Sequence, residues 1–316
     1  MDFTKDGVKV VVEKPSEQPL KEILFKNRWF FRNIDRYDKI LIKINIPYWK
    51  TPPGSATKKE TLWELWDFCK RFNLPQFIVE SRYSWTPIKV DEDYQFRKEY
   101  VIDLFEKPSI AIKAFTINNN KLSLHLSKEV LNPKNFIITL GPPKTHEYVI
   151  YTGALKTAMG FLKWKKRHMH GFSNLSTFGS GELWYKSVKC LHKNLIKLND
   201  EIPGERVSIL DGTSCMEGNG PVFGNEVHWN MIAISNDAPS LDYVVSSLMG
   251  FDPTSIAYIW WFMQDDEYRI KNLPYLDSFL FKLGLQFNPS FERPPNYEKE
   301  LSASLEVIKE FKELII

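Results

Sequence analysis

The chain alternates short apolar runs with segments in which apolar residues recur every three or four positions. The first pattern predicts buried strands, and the second predicts helices that pack one face against them. The predicted strands are residues 8–12, 39–46, 77–80, 136–140, 207–210 and 231–235, with a hairpin of residues 110–115 and 121–125. The predicted helices are residues 20–31, 58–72, 94–105, 146–159, 183–198, 241–249, 253–263 and 297–311.

This alternation predicts an α/β fold, with a mixed, mostly parallel sheet between two layers of helices. The hairpin favours a mixed sheet over a purely parallel one. We expect one large domain with insertions near residues 81–94 and 161–181. Residues 1–265 are predicted to form this domain, and residues 266–316 a C-terminal extension whose amphipathic helix packs on it.

Composition narrows the functional classes. A net charge of +3 over 316 residues is too small to indicate nucleic-acid binding by itself. The cysteines Cys69, Cys190 and Cys215 form no CxxC pair, so this chain alone is not expected to hold an iron–sulfur cluster, a thiolate zinc site or a disulfide framework. The first residues lack an apolar signal sequence, and the apolar runs are too short to span a bilayer. We therefore expect a cytoplasmic protein without membrane contact.

The segment Leu210–Gly224 contains four of the fifteen glycines and directly follows a predicted strand. Glycine admits left-handed backbone and lets a ligand approach closely, so this segment predicts a ligand-binding loop. Gly218 and Gly220 would contact the ligand, and Asp211 or Glu217 would act as general base or metal ligand. The alternative is a long turn whose glycines serve only backbone geometry.

Two lysines are candidates for holding an anion. Lys43 and Asn45 share one face of the strand 39–46. If that strand is buried, Lys43 needs a carboxylate or a bound anion; at a sheet edge it could instead reach water. Lys156 lies between small residues that permit close approach of a ligand, although a solvated surface lysine would also fit the pattern.

A second loop precedes the helix predicted at residues 58–72. Thr57 and Glu60 have the spacing of a capping box, in which Thr57 accepts from the helix amides. Gly54 and Ser55 would then leave backbone amides for an anion at a positive helix end. The alternative is an ordinary capped helix, and the spacing of a phosphate-binding P-loop is absent.

The segment Lys163–His170 carries four cations, two histidines and a tryptophan. It predicts a phosphate or nucleic-acid patch, and the alternative is a solvated cationic loop. His168 and His170 could also hold a divalent metal with Asp211 or Glu217, and His168 could serve as an acid. Asp237 would join Asp211 at one sheet edge if their strands run parallel, and would otherwise only cap a helix.

Several motifs in order resemble the archaeal and bacterial family of domain of unknown function 362. They are Ile42-Lys-Ile-Asn45, Pro52-Pro-Gly-Ser-Ala-Thr57, Thr152-Gly-Ala-Leu-Lys156 with Met159-Gly160, Asp211-Gly with Met216-Glu-Gly-Asn-Gly-Pro221 and Gly224, Ile234-Ser-Asn-Asp237, Asp242 and Met249-Gly-Phe-Asp-Pro253. Many members of that family carry ferredoxin-type cysteine motifs, which this chain lacks. The resemblance also implies Asn after the lysine that matches Lys156, where this chain has Thr157.

Three functional hypotheses follow. The first is an enzyme or ligand-binding protein for a small carboxylate or phosphate at the carboxyl ends of the strands, with Lys43 and Lys156 holding the anion. The second is a nucleic-acid or ribonucleoprotein binding protein that uses Lys163–His170. The third is a redox-partner module without its cluster. The sequence indicates neither the substrate nor the oligomeric state.

Overall fold

The computed structural model describes most of the chain. The residues it describes are 2–5, 7–15, 19–47, 52–82, 90–118, 121–163, 168–172, 181–203, 206–264, 278–283 and 291–315. The central part of the predicted segment 163–170 and most of the two predicted insertions lie outside these ranges.

An eight-stranded mixed sheet forms the centre of the molecule. Its strands, in spatial order, are β1 (Asp2–Lys5), β2 (Val8–Glu13), β15 (Ile232–Ser235), β12 (Arg206–Asp211), β8 (Asn135–Gly141), β3 (Lys39–Ile44), β4 (Gln76–Glu80) and β5 (Val101–Asp103). The last five run parallel to one another, and β15, β2 and β1 continue the sheet with antiparallel pairings. The carboxyl ends of the parallel strands therefore meet at one edge.

Helices cover both faces of this sheet, as the sequence predicts. They are α1 (Leu20–Lys26), α2 (Lys59–Cys69), α3 (Val90–Asp93), α4 (Lys128–Leu131), α5 (Ala154–Thr157), α6 (Glu182–Asp200), α7 (Ala238–Leu248), α8 (Ala257–Gln264) and α9 (Tyr297–Ile315). Short 3-10 helices lie at Arg28–Phe31, Ile34–Arg36, Lys70–Phe72, Lys98–Tyr100, Ala158–Phe161 and Pro253–Ser255.

Alternate residues of the central strands point into two separate cores. In β3, Ile40 and Ile42 pack with α1 and α2, whereas Leu41 faces the core that contains α5 to α8. A strand that is buried on both faces has a nearly continuous apolar sequence, which explains the composition of β3. Lys43 follows Leu41 on the second face and is consequently buried among helices.

Two smaller sheets flank the main one. One contains β9 (Lys144–His146), β10 (Ile150–Thr152), β13 (Cys215–Glu217) and β14 (Asn225–Val227) in the order β10-β9-β13-β14. The other contains β6 (Ser109–Lys113), β7 (Ser123–Ser127) and β11 (Leu162–Lys163). The predicted hairpin is thus present as β6 and β7, but it lies outside the main sheet.

Two predicted helices are wrong. Residues 94–105 contain one 3-10 turn followed by β5, because Val101 pairs with Ile78 of β4. Residues 146–159 contain β10 before the short α5, because β9 pairs with both β10 and β13. Both errors arise where long-range strand pairing overrides a local helical periodicity.

The predicted shared edge of Asp211 and Asp237 is also wrong. Strands β12 and β15 are antiparallel, with Asp211 opposite Ile232, so the two aspartates lie toward opposite ends of the sheet. Asp237 caps α7, where its side chain accepts from the Ser240 amide at 2.9 Å. Within the described ranges, the helices are too short or too polar to span a membrane.

Candidate functional site

A cavity of about 290 Å³ opens at the carboxyl ends of β3 and β4. Open α/β sheets bind ligands at this edge. Its walls come from those strand ends, from β9, from α5 and from residues 221–223 of the glycine-rich loop. The lining residues are Lys43, Asn45, Ile46, Pro47, Glu80, Lys144, His146, Glu147, Tyr148, Thr152, Lys156, Thr157, Met159, Gly160, His170, Pro221, Val222 and Phe223.

Lys43 and Glu80 form a buried ion pair in the wall of this cavity. Their side chains are 1% and 3% exposed, and Lys43 Nζ lies 2.9 Å from Glu80 Oε2. Glu80 also accepts from the backbone amides of Ser81 and Ile46, at 2.8 and 3.2 Å. The negative charge of Glu80, which these donors stabilise, neutralises the positive charge of Lys43. Lys43 therefore has the carboxylate partner that a lysine in a buried strand needs.

Gly160 permits this ion pair to pack under the 3-10 helix. A Cβ atom at Gly160 would lie 2.2 Å from Glu80 Oε1 and 2.2 Å from Lys43 Nζ. Any larger residue would displace one partner. The glycine of the Met159-Gly160 motif therefore allows the 3-10 helix to pack closely on the Lys43–Glu80 ion pair.

Lys144 is the second buried lysine of the cavity, and sequence reasoning missed it. It is 1% exposed on β9, and its Nζ donates to the Ser55 carbonyl oxygen at 2.5 Å. Burial, and then the positive charges of Lys156 and Lys43, hold the pKa of Lys144 well below its ordinary value. The usable signal was the sequence Lys144-Thr-His146, which places a cation and an imidazole on the same face of a strand.

His146 lies beside Lys144 on β9 and was also missed. Its Nδ1 accepts from the Tyr148 amide at 3.1 Å, so the hydrogen of the neutral ring is on Nε2. Burial, together with Lys156 and His170, lowers the pKa of His146 well below 6.5. The ring is therefore a neutral hydrogen-bond donor at neutral pH.

Lys156 is partly exposed on α5, a helix held in place by Asp242. The Asp242 carboxylate accepts from the amides of Ala154 and Leu155 at 2.7 and 2.9 Å. Burial raises the pKa of Asp242 to about 7, although these two amides oppose the shift. Thr157 donates to the Gly153 carbonyl at 2.8 Å, so the residue that replaces the family's Asn bonds its own helix.

The loop 52–57 does not line the cavity, so its predicted role in direct anion binding receives no support from the structure. The Thr57 amide bonds Asn45, and its hydroxyl accepts from the Asn45 amide and donates to Leu140. The predicted capping box is also absent, because Lys58 is the N-cap of α2 and no side chain caps it. Ser55 is fully buried, with its amide bonded to Pro52 and its hydroxyl to Pro221.

The glycine-rich loop contributes its last residues to the cavity and uses its acids elsewhere. Asp211 accepts from Thr61 and from the side chain and amide of Thr213, at 2.6 to 2.9 Å. Glu217 accepts from the Glu292 amide at 2.9 Å. Neither carboxylate lines the cavity, so the structure gives no support to their predicted catalytic role.

Gly218 and Gly220 fix the loop against β9 rather than lining the cavity. The Gly218 carbonyl accepts from the Thr145 hydroxyl at 2.9 Å, and the Gly220 carbonyl from the Glu147 amide at 3.0 Å. A Cβ atom at Gly220 would lie 2.2 Å from the Thr145 carbonyl oxygen. Gly54 packs equally close to another backbone segment, because a Cβ atom at Gly54 would lie 2.2 Å from the Cys215 carbonyl oxygen.

The two histidines of the basic segment are both buried and serve different regions. His170 lines the cavity and packs edge-on against Tyr148, with ring centroids 4.6 Å apart. His168 bonds the Ser123 carbonyl at 2.7 Å and does not line the cavity. The described residues include no group of three His, Cys, Asp or Glu side chains that could hold a metal ion. The predicted metal site of His168, His170 and Asp211 therefore receives no support from the described residues.

Fold and site together define an α/β protein with a lysine-lined cavity at the carboxyl edge of its parallel strands. The family model described as Domain of unknown function (DUF362) matches residues 40–247, and the chain belongs to this family. A curated relative is a thylakoid-associated protein of Synechocystis sp., 29% identical over 136 residues. That match covers 42% of this chain and 38% of the relative.

A crystal structure of a Thermotoga maritima protein is similar to this chain at 11% identity and a TM-score of 0.44. The similarity covers 72% of this chain and 57% of that one.

Proposed function

We propose that this DUF362 protein binds a small carboxylate or phosphate in the cavity at the carboxyl edge of its parallel strands. The observation that carries the proposal is the burial of Lys144 in a cavity that Lys43 and Lys156 also line. Glu80 is the described carboxylate that acts on Lys144, and it already pairs with Lys43. Burial makes the ammonium form of Lys144 unfavourable by several kcal/mol, and an anion bound in the cavity would offset that cost.

The remaining lining groups suit an anion of modest size. A cavity of about 290 Å³ is at the lower limit of small-molecule sites. Lys156 supplies the charge, while Lys144, Asn45 and His146 supply hydrogen-bond donors that fix orientation. His146 presents a neutral N–H to the cavity, which suits polarisation of a bound substrate, and an enzyme is therefore the favoured form of the proposal.

The other hypotheses receive less support. The nucleic-acid hypothesis depends on Lys163–His170, of which residues 164–167 lie outside the described ranges. His168 and His170 are 9% and 4% exposed, which is unfavourable for contact with a large polyanion. The redox-module hypothesis and the cytoplasmic location stay predictions from the sequence.

Substitution of Lys156 tests the proposal. We expect Lys156→Ala to weaken binding of inorganic phosphate or oxalate by roughly ten- to a hundredfold, because one charged hydrogen bond contributes about 1.5–3 kcal/mol. The melting temperature should change little, since Lys156 is partly exposed. Isothermal titration calorimetry on the full chain measures the affinities.

The matched control is Lys309→Ala, which removes an exposed lysine from α9. It should leave both affinity and melting temperature unchanged. Absence of phosphate and oxalate binding to the wild-type chain, or equal loss in both variants, would overturn the proposal.

A further inference from the structure

Lys144 differs from the other two lysines of the cavity in its surroundings. Lys43 is paired with Glu80, and Lys156 is partly exposed on a short helix. Lys144 is buried, lines the cavity and bonds the neutral Ser55 carbonyl. A carbonyl oxygen accepts a hydrogen from an uncharged amine as well as from an ammonium group.

The titratable groups around Lys144 favour the uncharged amine. Lys43 faces it from β3 and Lys156 from α5, and both disfavour a further positive charge. Glu80 on β4 acts in the opposite direction, and the cavity also contains Glu147, His146 and His170. Because burial is the largest cause, the pKa of Lys144 lies well below its ordinary value. A desolvated lysine next to other cations is a typical amine nucleophile.

We propose that Lys144 forms an imine with the carbonyl carbon of a small anionic aldehyde or 2-oxo acid bound in the cavity. This inference rests on the proposed function, because Lys156 would hold the carboxylate or phosphate of that substrate. It adds a covalent role for Lys144 and narrows the substrate class from anions to anions with a reactive carbonyl.

The chemistry needs no further reactant. The nitrogen lone pair of Lys144 attacks the carbonyl carbon, and the electron pair of the C=O bond moves to oxygen. That oxygen gains a proton while the nitrogen loses one, which gives a carbinolamine. The C–O bond then breaks, oxygen leaves as water with the second proton of the amine, and the nitrogen lone pair closes the C=N bond.

His146 is positioned to donate a hydrogen bond to the substrate carbonyl oxygen, which makes the carbonyl carbon more electrophilic. It occupies the same face of β9 as Lys144, two residues later, and lines the same cavity. Its Nδ1 accepts from the Tyr148 amide, so Nε2–H remains to donate to the carbonyl oxygen. Imine formation at Lys144 is reversible, and water hydrolyses the imine by the same steps in reverse.

Reductive trapping tests the inference on the wild-type chain. The protein is treated at pH 7 with glyoxylate, which carries an aldehyde and a carboxylate, together with cyanoborohydride, and is then mapped by peptide mass spectrometry. We expect carboxymethylation of Lys144 at least tenfold faster than that of the exposed Lys309. Excess oxalate should slow modification of Lys144 and leave that of Lys309 unchanged.

Faster modification of Lys309, or modification of Lys144 that oxalate does not slow, would overturn the inference. If oxalate or phosphate binds by calorimetry while Lys144 stays unmodified, this inference fails and the proposed function stands. If neither anion binds, the proposed function itself fails. A Lys144→Met variant should lose the trapped adduct, and the wild-type peptide map remains decisive if that variant does not fold.

Discussion

Lys43 and Glu80 show how one strand position can depend on residues far away in the chain. The two side chains are among the least exposed in the molecule and are joined at 2.9 Å. Taking both charges out of water is costly, and their mutual attraction with the amides on Glu80 offsets that cost. Removing one partner alone leaves the other charged and buried, which is worse than removing both.

A double-mutant cycle measures this dependence. We expect Lys43→Met to lower the free energy of unfolding by about 3–5 kcal/mol, because it leaves Glu80 without its cation. Adding Glu80→Gln should recover a large part of that loss. Urea denaturation of the two single variants and the double variant provides the energies, and simple additivity of the single effects would contradict the expectation.

At the scale of elements, α5 depends on a residue almost ninety positions later. The helix spans four residues, so its own hydrogen bonds cannot fix it. Asp242 of α7 accepts two of its first amides and is completely buried. A Cβ atom at Gly153 would lie 2.1 Å from that carboxylate, so the turn before α5 closes directly on Asp242.

Substitution of Asp242 should affect stability and ligand affinity together. Asp242→Ala leaves two buried amides unpaired, at about 1–3 kcal/mol each, and releases the helix that carries Lys156. We expect a lower free energy of unfolding by urea and weaker phosphate binding by calorimetry. Asp242→Asn retains one oxygen acceptor and should lose less of both; an equal loss in the two variants would argue against the capping role.

The sequence predicted the elements of the main sheet and missed much of the site, for a physical reason. Apolar runs such as 39–44 and 206–211 are visible because both faces of these strands are buried. Strands β9 and β10 have three residues each; β10 pairs with the neighbouring β9, and β9 pairs with the distant β13. Lys144 and His146 lie on β9, so local periodicity could not place them, whereas Lys43 and Lys156 stood out as cations among apolar or small neighbours.

At the scale of the whole molecule, α9 attaches the end of the chain to the core. Its buried residues Val307 and Ile308 pack with Ala257 and Trp260 of α8, and Lys189 of α6 lies 2.8 Å from Glu306. Glu300, on the same helix, is completely buried. Burial raises the pKa of Glu300 from 4.5 to about 8, while the Ile150 amide opposes the shift.

This raised pKa predicts a pH-dependent stability. The folded chain binds the Glu300 proton more tightly than the unfolded chain. Protonated Glu300 therefore makes its full contribution to the free energy of unfolding below about pH 4.5, and this contribution is lost as the pH rises to about 8. We expect Glu300→Gln to gain stability over the wild type between pH 5 and pH 8, by an amount on the order of a few kcal/mol. Urea denaturation at both pH values measures it.

The control for this prediction is Glu313→Gln, which changes an exposed residue of the same helix. Its stability relative to the wild type should be the same at both pH values. If the stability of Glu300→Gln relative to the wild type were also the same at both pH values, Glu300 would not titrate in this range.

The antiparallel strands before residue 40 give the sheet a protected edge. The family match begins at residue 40, yet β2 pairs along the whole of β15, from Ile232 to Ser235. A fragment limited to residues 40–247 would expose the unpaired backbone donors and acceptors of β15 beside apolar side chains. Such an edge is available for pairing with strands of other chains, and residues 8–13 occupy it in the full chain.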